Sequence, residues 1–386
     1  MDTIFLTGSA SRKPRPVGGG LHNQVDIKEG SSMISKIRLQ ILYALIAGLV
    51  SLWAFPANVI GAAQAQPMVL KASIQTPANM PFSMVFYSWL DEVEKRSGGR
   101  IKFERYPSGS LARAAEQVDA LESGMADVSL FVTTYTPGKI PLNTLTGLPF
   151  TFGQAWVNAT SYLQLVQSIP EVENEFTKHN IKVVASYSTG PYYVVSTKPI
   201  RKMEDFRGKK IIATGPAAEW IRAVRGAPVG IVITESYESL QRGTADGAVF
   251  GPSAAGTYRM EEVCKYILKM PVSGACGPIG MNMATWKKLP PDIQKIITDL
   301  APDHAKAGHR IYQIEGDGKF LEIFKTKGIE MIEPSPALMA EGLKVAKDVV
   351  WNKWANDQEA RKLPGKKVLE TYIGLLEKNQ AVNPFK

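Results

Sequence analysis

The sequence predicts an α/β protein, and three observations carry that expectation. Between Asp205 and Pro252, strand-like and helix-like stretches alternate as β-α-β-α-β. The same alternation runs from Val69 to Val132, and from Pro291 onward the apolar residues take the three- and four-residue spacing of long helices. In such an open sheet the strand C-terminal ends share one edge, which is where ligands bind.

Ahead of the first strand lies a targeting pattern. Met33-Ile-Ser-Lys36-Ile-Arg38 is a short basic region, Leu39 to Phe55 an almost unbroken apolar run, and Ala63-Gln64-Ala65 a set of small residues before Gln66. Residues 33–65 thus read as a secretory signal rather than a membrane span, because nothing after them stops transfer. Residues 1–32 are polar and glycine-rich and read as a structureless, non-native extension. Either Met33 is the true initiator, or the basic region is unusually long.

Val69–Ile74 is the first strand, with Leu70, Ala72 and Ile74 on one face, and Gln75–Asn79 is a polar loop off its end. Phe82, Val85, Phe86, Trp89, Leu90 and Val93 mark an amphipathic helix, stopped by Ser97-Gly98-Gly99. Ile101–Tyr106 alternates as a strand, and a helix carrying Val118 and Leu121 leads to the strand Val128–Val132. A helix through Val157–Val166 precedes the strands Ile181–Tyr187 and Tyr192–Ser196. In the block that follows, Lys209–Ala213 is a strand, and Gly215-Pro216 turns into a helix with proline in its first turn, where a missing N–H costs nothing. Val229–Ile233 is a second strand with Thr234 placed to cap the helix Glu235–Arg242, and Ala248–Phe250 closes the unit. Gly277–Ala284 is an apolar strand. Ser335-Pro336 starts a helix with serine as cap; its buried stripe is Leu343, Ala346, Val350 and Trp354, and a last helix holds Val368, Tyr372, Leu375 and Leu376.

The whole sequence carries a net charge of +9, and its first 65 residues hold six basic and three acidic residues, leaving +6 beyond them. These charges are dispersed, so nucleic acid is not expected as a partner. No metal site, cofactor or catalytic chemistry is expected. His304 and His309 lie five apart on a helix and so on different faces, unlike a zinc-binding pair, and they read as surface or satisfied core residues. No Gly-x-Ser-x-Gly elbow, Walker loop or dinucleotide fingerprint occurs. Cys264 and Cys276 could close a disulfide in an exported protein, or remain buried thiols. The more telling residues are aromatic: Phe131, Tyr135, Tyr187, Tyr192, Tyr193 and Phe250 fall at or just past strand ends. Together they suggest an apolar-walled pocket with a few orienting hydroxyls.

Asp205-Phe-Arg-Gly-Lys-Lys-Ile211, with Gln241-Arg-Gly-x-x-Asp246-Gly downstream, resembles the solute-binding proteins of tripartite ATP-independent periplasmic (TRAP) transporters. So do Gly98-Gly-Arg-Ile-Lys-Phe103, Leu121-Glu-Ser-Gly-Met-Ala-Asp-Val128 and Leu148-Pro-Phe-x-Phe152; the likeness extends over about residues 68–380. It implies a two-lobed, periplasmic-binding-protein-like fold with hinge crossover strands at 192–196 and 277–284 and long C-terminal helices. Domain I would comprise 66–190 plus 277–325, domain II 191–276, and the helices of 326–386 would pack across both. It implies a periplasmic monomer without enzymatic activity that hands a small molecule to ion-driven membrane subunits. The rival function is a sensor module presented to a signalling receptor.

By the same resemblance, Ile212, Thr214, Gly215, Ile233 and Phe250 would line the cleft opposite Thr76, Asn79, Phe131, Val132 and Tyr135, with Tyr192 on the crossing strand. The chain departs from the family where it matters most. The arginine that clamps a carboxylate after Lys-Ile is here Ile212, and the arginine of Gly-x-Arg is here Tyr192. One expectation is a neutral or amine-bearing ligand held by Tyr135, Tyr192 and apolar walls, with Glu219 or Glu235 available to an ammonium. The other is an acid held by backbone amides at Gly215–Ala218.

Overall fold

Two twisted sheets organise the protein, each covered by helices. The computed structural model describes residues 40–41, 66–231 and 233–385, so the signal pattern and the extension before it lie, apart from Gln40 and Ile41, outside the described residues. Residues 66–386 form one compact unit.

The described strands in chain order are β1 (Met68–Ser73), β2 (Ile101–Tyr106), β3 (Val128–Leu130), β4 (Ile181–Ser188), β5 (Tyr192–Ser196) and β6 (Lys210–Ile212). They continue with β7 (Ala227–Val229), β8 (Gly247–Phe250), β9 (Tyr266–Ser273), β10 (Cys276–Asn282) and β11 (Glu330–Ile332). The first sheet has the order β2-β1-β3-β10-β4 and the second β11-β9-β5-β8-β6-β7. In each sheet one strand runs against the others, β10 in the first and β5 in the second.

Each of those two strands follows directly on a strand of the other sheet. The chain crosses at 188–192, between β4 and β5, and returns at 273–276, between β9 and β10. The two crossings are bonded to each other: the Thr189 N–H donates to Ala275 O at 2.8 Å, and the Ala275 N–H donates to Thr189 Oγ1 at 3.0 Å. The expected pair of crossover strands is therefore present, bonded as a ribbon. A third connection joins the lobes. The helix Ala301–Gly308 packs on β4, runs on through a π-helical stretch (His309–Asp317) and continues as Gly318–Thr326 against the second sheet's helix Pro252–Thr257.

Burial follows the two-residue period of the strands. In the second sheet Val194, Ile211, Val249 and Leu268 face one cluster, while Val195, Ile212, Ala248 and Ile267 face another. The first cluster also takes in Phe131, Tyr162 and Phe176 from the first lobe, and Val350, Trp354 and Tyr372 from the C-terminal helices, so it runs unbroken behind both sheets. Trp220 anchors it, with its ring edge-on to Phe206 at 5.3 Å and its Nε1–H donating to Gly342 O. Trp351 and Trp354 donate to Pro149 O and Thr144 Oγ1.

Several expectations are corrected. The helix 318–326 places Phe324 in the cluster of the second sheet and not in that of the first. The segment after 326 is not purely helical, since β11 pairs with β9. Ile233 opens a helix (Ile233–Gln241) instead of ending a strand, because β7 already stops at Val229. The serine cap at 335 is formed, with Leu338 N–H donating to Ser335 Oγ at 3.1 Å. Cys264 and Cys276 are both free and buried, and burial pushes the Cys264 thiol up to about 12.

Candidate ligand cleft

The strand ends of the two sheets converge where the chain crosses between them. From the first lobe, β3 ends at Leu130 and the chain turns through Phe131 and Val132 into a short 3-10 turn, Thr133–Tyr135. From the second lobe, β8 ends at Phe250, which pairs with Tyr193 of β5, and β6 leads through Thr214 into the helix Gly215–Ala223. The two sides meet. A Cβ on Gly147 would lie 2.7 Å from Thr134 Cγ2 and 3.3 Å from Pro216 Cδ, and one on Gly215 would lie 3.9 Å from Thr134 Cβ. Gly215 has φ +54°, the left-handed region that glycine tolerates at such a bend.

Phenolic rings gather at this junction. Tyr135 keeps 43% of its surface exposed, yet its hydroxyl is pushed above its ordinary value by desolvation and by the nearby Tyr258. Its ring thus stays open to water while protein groups surround its hydroxyl. Tyr192 is raised further by burial, and Tyr135, Thr189, Asp317 and Tyr312 are the groups acting on it. Its ring lies flat against the backbone of Gly251, where a Cβ would come within 2.8 Å of Cε1. Phe250 is half-buried between the second lobe's cluster and the first lobe's. Tyr187 closes the first-lobe side, donating its hydroxyl to Phe131 O at 3.0 Å and meeting Phe82 edge-on at 4.9 Å.

Behind the tyrosines is a carboxylate that no pattern in the sequence singles out. Asp317, at the end of the π-helical stretch, is 4% exposed. Its Oδ1 accepts both from the Ser253 N–H, at 3.0 Å, and from the Ser253 hydroxyl, at 2.5 Å. Burial pushes its carboxyl up to about 7, because the charged form is poorly solvated there and only the two serine donors offset that. Oδ2 lies against the crossing strand: a Cβ on Gly190 would come within 2.6 Å of it. Earlier on the same stretch, Tyr312 is fully buried and its hydroxyl has no hydrogen-bond partner. It does perturb Tyr192, and we read the pair as close but without bonding geometry.

Among the described residues, no lysine or arginine acts on Tyr135, Tyr192, Tyr193, Tyr258, Tyr312 or Asp317. The nearest basic side chain by sequence, Arg259, pairs with Glu262, and Arg222 on the Gly215–Ala223 helix pairs with Glu219. Glu219 is thereby engaged, and Glu235 is exposed at the start of its helix.

The residues expected to line the cleft divide accordingly. Tyr135, Tyr192, Phe250, Thr214 and Gly215 stand at the junction. Val132 is half-buried beside them, on the first lobe's cluster. Phe131 and Ile212 are core residues instead, each 1% exposed: Phe131 turns its ring toward Phe176, and strand alternation drops Ile212 among Val195 and Ala248. The hydroxyl of Thr76 is turned to Ser83 Oγ at 2.7 Å, while Asn79 is exposed in the loop after β1. Ile233 stands at the start of the helix Ile233–Gln241. A separate depression on the first lobe is lined by Glu116, Asp119, Ala120, Glu122, Ser123 and Met125, none of them at a strand end.

Among the described residues no group of three or more histidines, cysteines or acids could hold a metal. His304 and His309 are both buried, and neither ring nitrogen of His304 has a partner, so it is neither the surface nor the satisfied core histidine expected.

Comparison with known proteins agrees with this architecture. Residues 68–357 match the family described as bacterial extracellular solute-binding protein, family 7. A solute-binding protein of Albidiferax ferrireducens is 24% identical over 279 residues, covering 69% of this chain and 80% of the relative. The crystal structure of a TRAP periplasmic solute-binding protein from Desulfovibrio salexigens, an open complex, is 25% identical, with TM-score 0.73, over 81% of this chain and 96% of that one. A TRAP solute-binding protein from Rhodoferax ferrireducens, in complex with copurified benzoate, is 24% identical, with TM-score 0.74, over 82% of this chain and 99% of that one.

Proposed function

The chain belongs to family 7 of the bacterial extracellular solute-binding proteins, the TRAP-type solute receptors, and from that premise we propose that it captures a neutral or amine-bearing small molecule in the cleft between its lobes. Receptors of this kind are periplasmic, bind small molecules and work with membrane subunits; the family is not one of enzymes. Export through the signal pattern at 33–65, a monomeric state and the absence of any nucleic-acid partner belong to the same reading.

The observation that carries the choice of ligand is the lack of a cation. By the motif resemblance Ile212 and Tyr192 take the places of the family's two arginines, and among the described residues no basic group acts on the tyrosines of the cleft. A carboxylate buried there would go without its usual bidentate partner, and desolvating it unpaired is expensive. Tyr135, Tyr192 and Phe250 instead supply flat apolar surface with hydroxyls to orient a ligand, and closure of the lobes about the paired crossings would exclude water from it.

A second reading has one observation in its favour. Thr214 makes no side-chain cap to the Gly215–Ala223 helix, which leaves its first amides available to an acid; the Rhodoferax relative is in complex with copurified benzoate. A thermal-shift panel of neutral, cationic and acidic metabolites separates the two. Stabilisation by neutral or cationic compounds supports the proposal, and stabilisation by acids alone refutes it.

A further inference from the structure

We propose that the cleft floor receives a positively charged nitrogen, an ammonium on a small apolar frame, held over the rings of Tyr135, Tyr192 and Phe250 with the Asp317 carboxylate as its counter-charge. This rests on the solute-receptor reading above and goes further by fixing the sign of the ligand's charge.

Two buried polar groups at the cleft floor are left unmatched. Asp317 is 4% exposed, and its only donors among the described residues are the N–H and hydroxyl of Ser253, both on Oδ1. Among the described residues no basic side chain acts on it. A buried carboxylate without a cation is a costly arrangement, and it is relieved when a cation arrives. Tyr312 adds a second group: its buried phenol oxygen lies close to Tyr192 but meets no donor in hydrogen-bonding geometry, and could accept an N–H. Both face Tyr192, whose hydroxyl feels Asp317, Tyr312 and Tyr135 together.

The walls suit the same guest. Aromatic faces attract cations through their quadrupoles, most strongly where water is excluded, and an aromatic cage with an acid behind it is a general solution for an ammonium. A neutral polar ligand would satisfy the Tyr312 hydroxyl but leave the charge of Asp317 unmatched. A carboxylate would meet that charge with no cation between them.

Asp317 also gives the site a pH signature. The groups facing it are Tyr192 and Tyr193 from β5, Tyr312 from its own helix and Ser253 from the second lobe, while the adjoining Pro81 and Gln313 carry no charge. The tyrosines titrate far above neutrality, so Asp317 is the group in this cluster that changes charge near neutral pH.

The test uses one ring with four head groups: benzyltrimethylammonium, benzylamine, benzamide and benzoate, titrated calorimetrically into the protein from residue 66 onward. At pH 8 both cations should bind at least about tenfold more tightly than benzamide. Affinity for benzyltrimethylammonium, whose own charge is fixed, should rise from about pH 6 to about pH 8. In Asp317→Asn, which keeps the shape and the Oδ1 acceptor, that rise should vanish and the cations should lose about tenfold. If this variant does not fold, Tyr135→Leu at the open side of the cleft should weaken both cations severalfold and leave benzamide less affected. Benzamide binding as tightly as the cations, or a cation affinity independent of Asp317 and of Tyr135, overturns the inference while leaving the solute-receptor reading of a neutral ligand intact. Binding of benzoate alone overturns both.

Discussion

Replacing His304 with leucine should make the protein less sensitive to acid. His304 sits on the helix Ala301–Gly308, 3% exposed, with both ring nitrogens unpartnered, and burial pushes it down to about 4. A depressed value in the folded state means that the unfolded chain takes up the proton first. Stability through this group is therefore complete above about pH 6.5 and falls as the pH drops toward 4. Each unit in that window is worth about 1.4 kcal/mol, so by about pH 4.5 the loss is on the order of 2–3 kcal/mol. For a domain of this size that is a fall in Tm of roughly 5 °C. Asp317 titrates in the same range with the opposite sign, but it is common to both proteins and cancels in their difference. The assay is calorimetric unfolding of both proteins from about pH 7.5 to about pH 4.5. At the upper end the leucine variant should match or exceed the parent, because two unsatisfied buried nitrogens have gone. Parallel curves would show that the ring is not held neutral, and a large loss at the upper end would show that its nitrogens are bonded after all.

The remaining outcomes concern the crossing region and one helix cap. Ser253→Ala removes the hydroxyl donor to Asp317 Oδ1 and should cost about 1–2 kcal/mol at pH 8, where the carboxylate is charged, and less at pH 5, where it is largely protonated; urea unfolding at the two values measures this. Because the carboxyl of Asp317 stands at about 7, above the ordinary value, its contribution to stability is fully present near pH 4 and is lost as the pH rises through 7. Gly190→Ala drives a methyl to within 2.6 Å of Asp317 Oδ2 beside the crossing strands, and should cost roughly 1–3 kcal/mol by urea unfolding unless the helix shifts; an unchanged midpoint would mean that it does. Ser335→Ala removes the cap on Leu338 N–H and should lower stability by about 1 kcal/mol, with no effect on ligand binding.

Much of the fold was legible because strand and helix periods are local. The alternation at 101–106 and the apolar stripe at 82–93 appear where the spacing put them. What escaped was set by distant partners. Strand β9 was not anticipated, since Lys269 and Pro271 interrupt its pattern and only its position between β5 and β11 makes it a strand. The apolar run from Val229 to Ile233 reads as one strand, whereas the chain leaves the sheet after Val229. Within the cleft, the absence of the two arginines was plain from the residues themselves. Side-chain direction was not: Phe131 and Ile212 flank the right strand ends but point into cores. Asp317 and Ser253 lie 64 residues apart, and nothing local to either announces the other. Tyr312 was equally silent, as a tyrosine on a helix looks like any core residue until its hydroxyl is seen to lack a partner.

The strand order has a consequence for how the chain is made. In the first sheet the seam between β3 and β4 is filled by β10, the last of its strands to be synthesised, and the second sheet is finished at its rim only by β11. Until residue 282 has emerged, β3 and β4 each present an open edge that nothing upstream can cover. A nascent or truncated product ending earlier holds a gap where its middle should be, so assembly of both halves belongs to the nearly complete polypeptide and not to its first half alone.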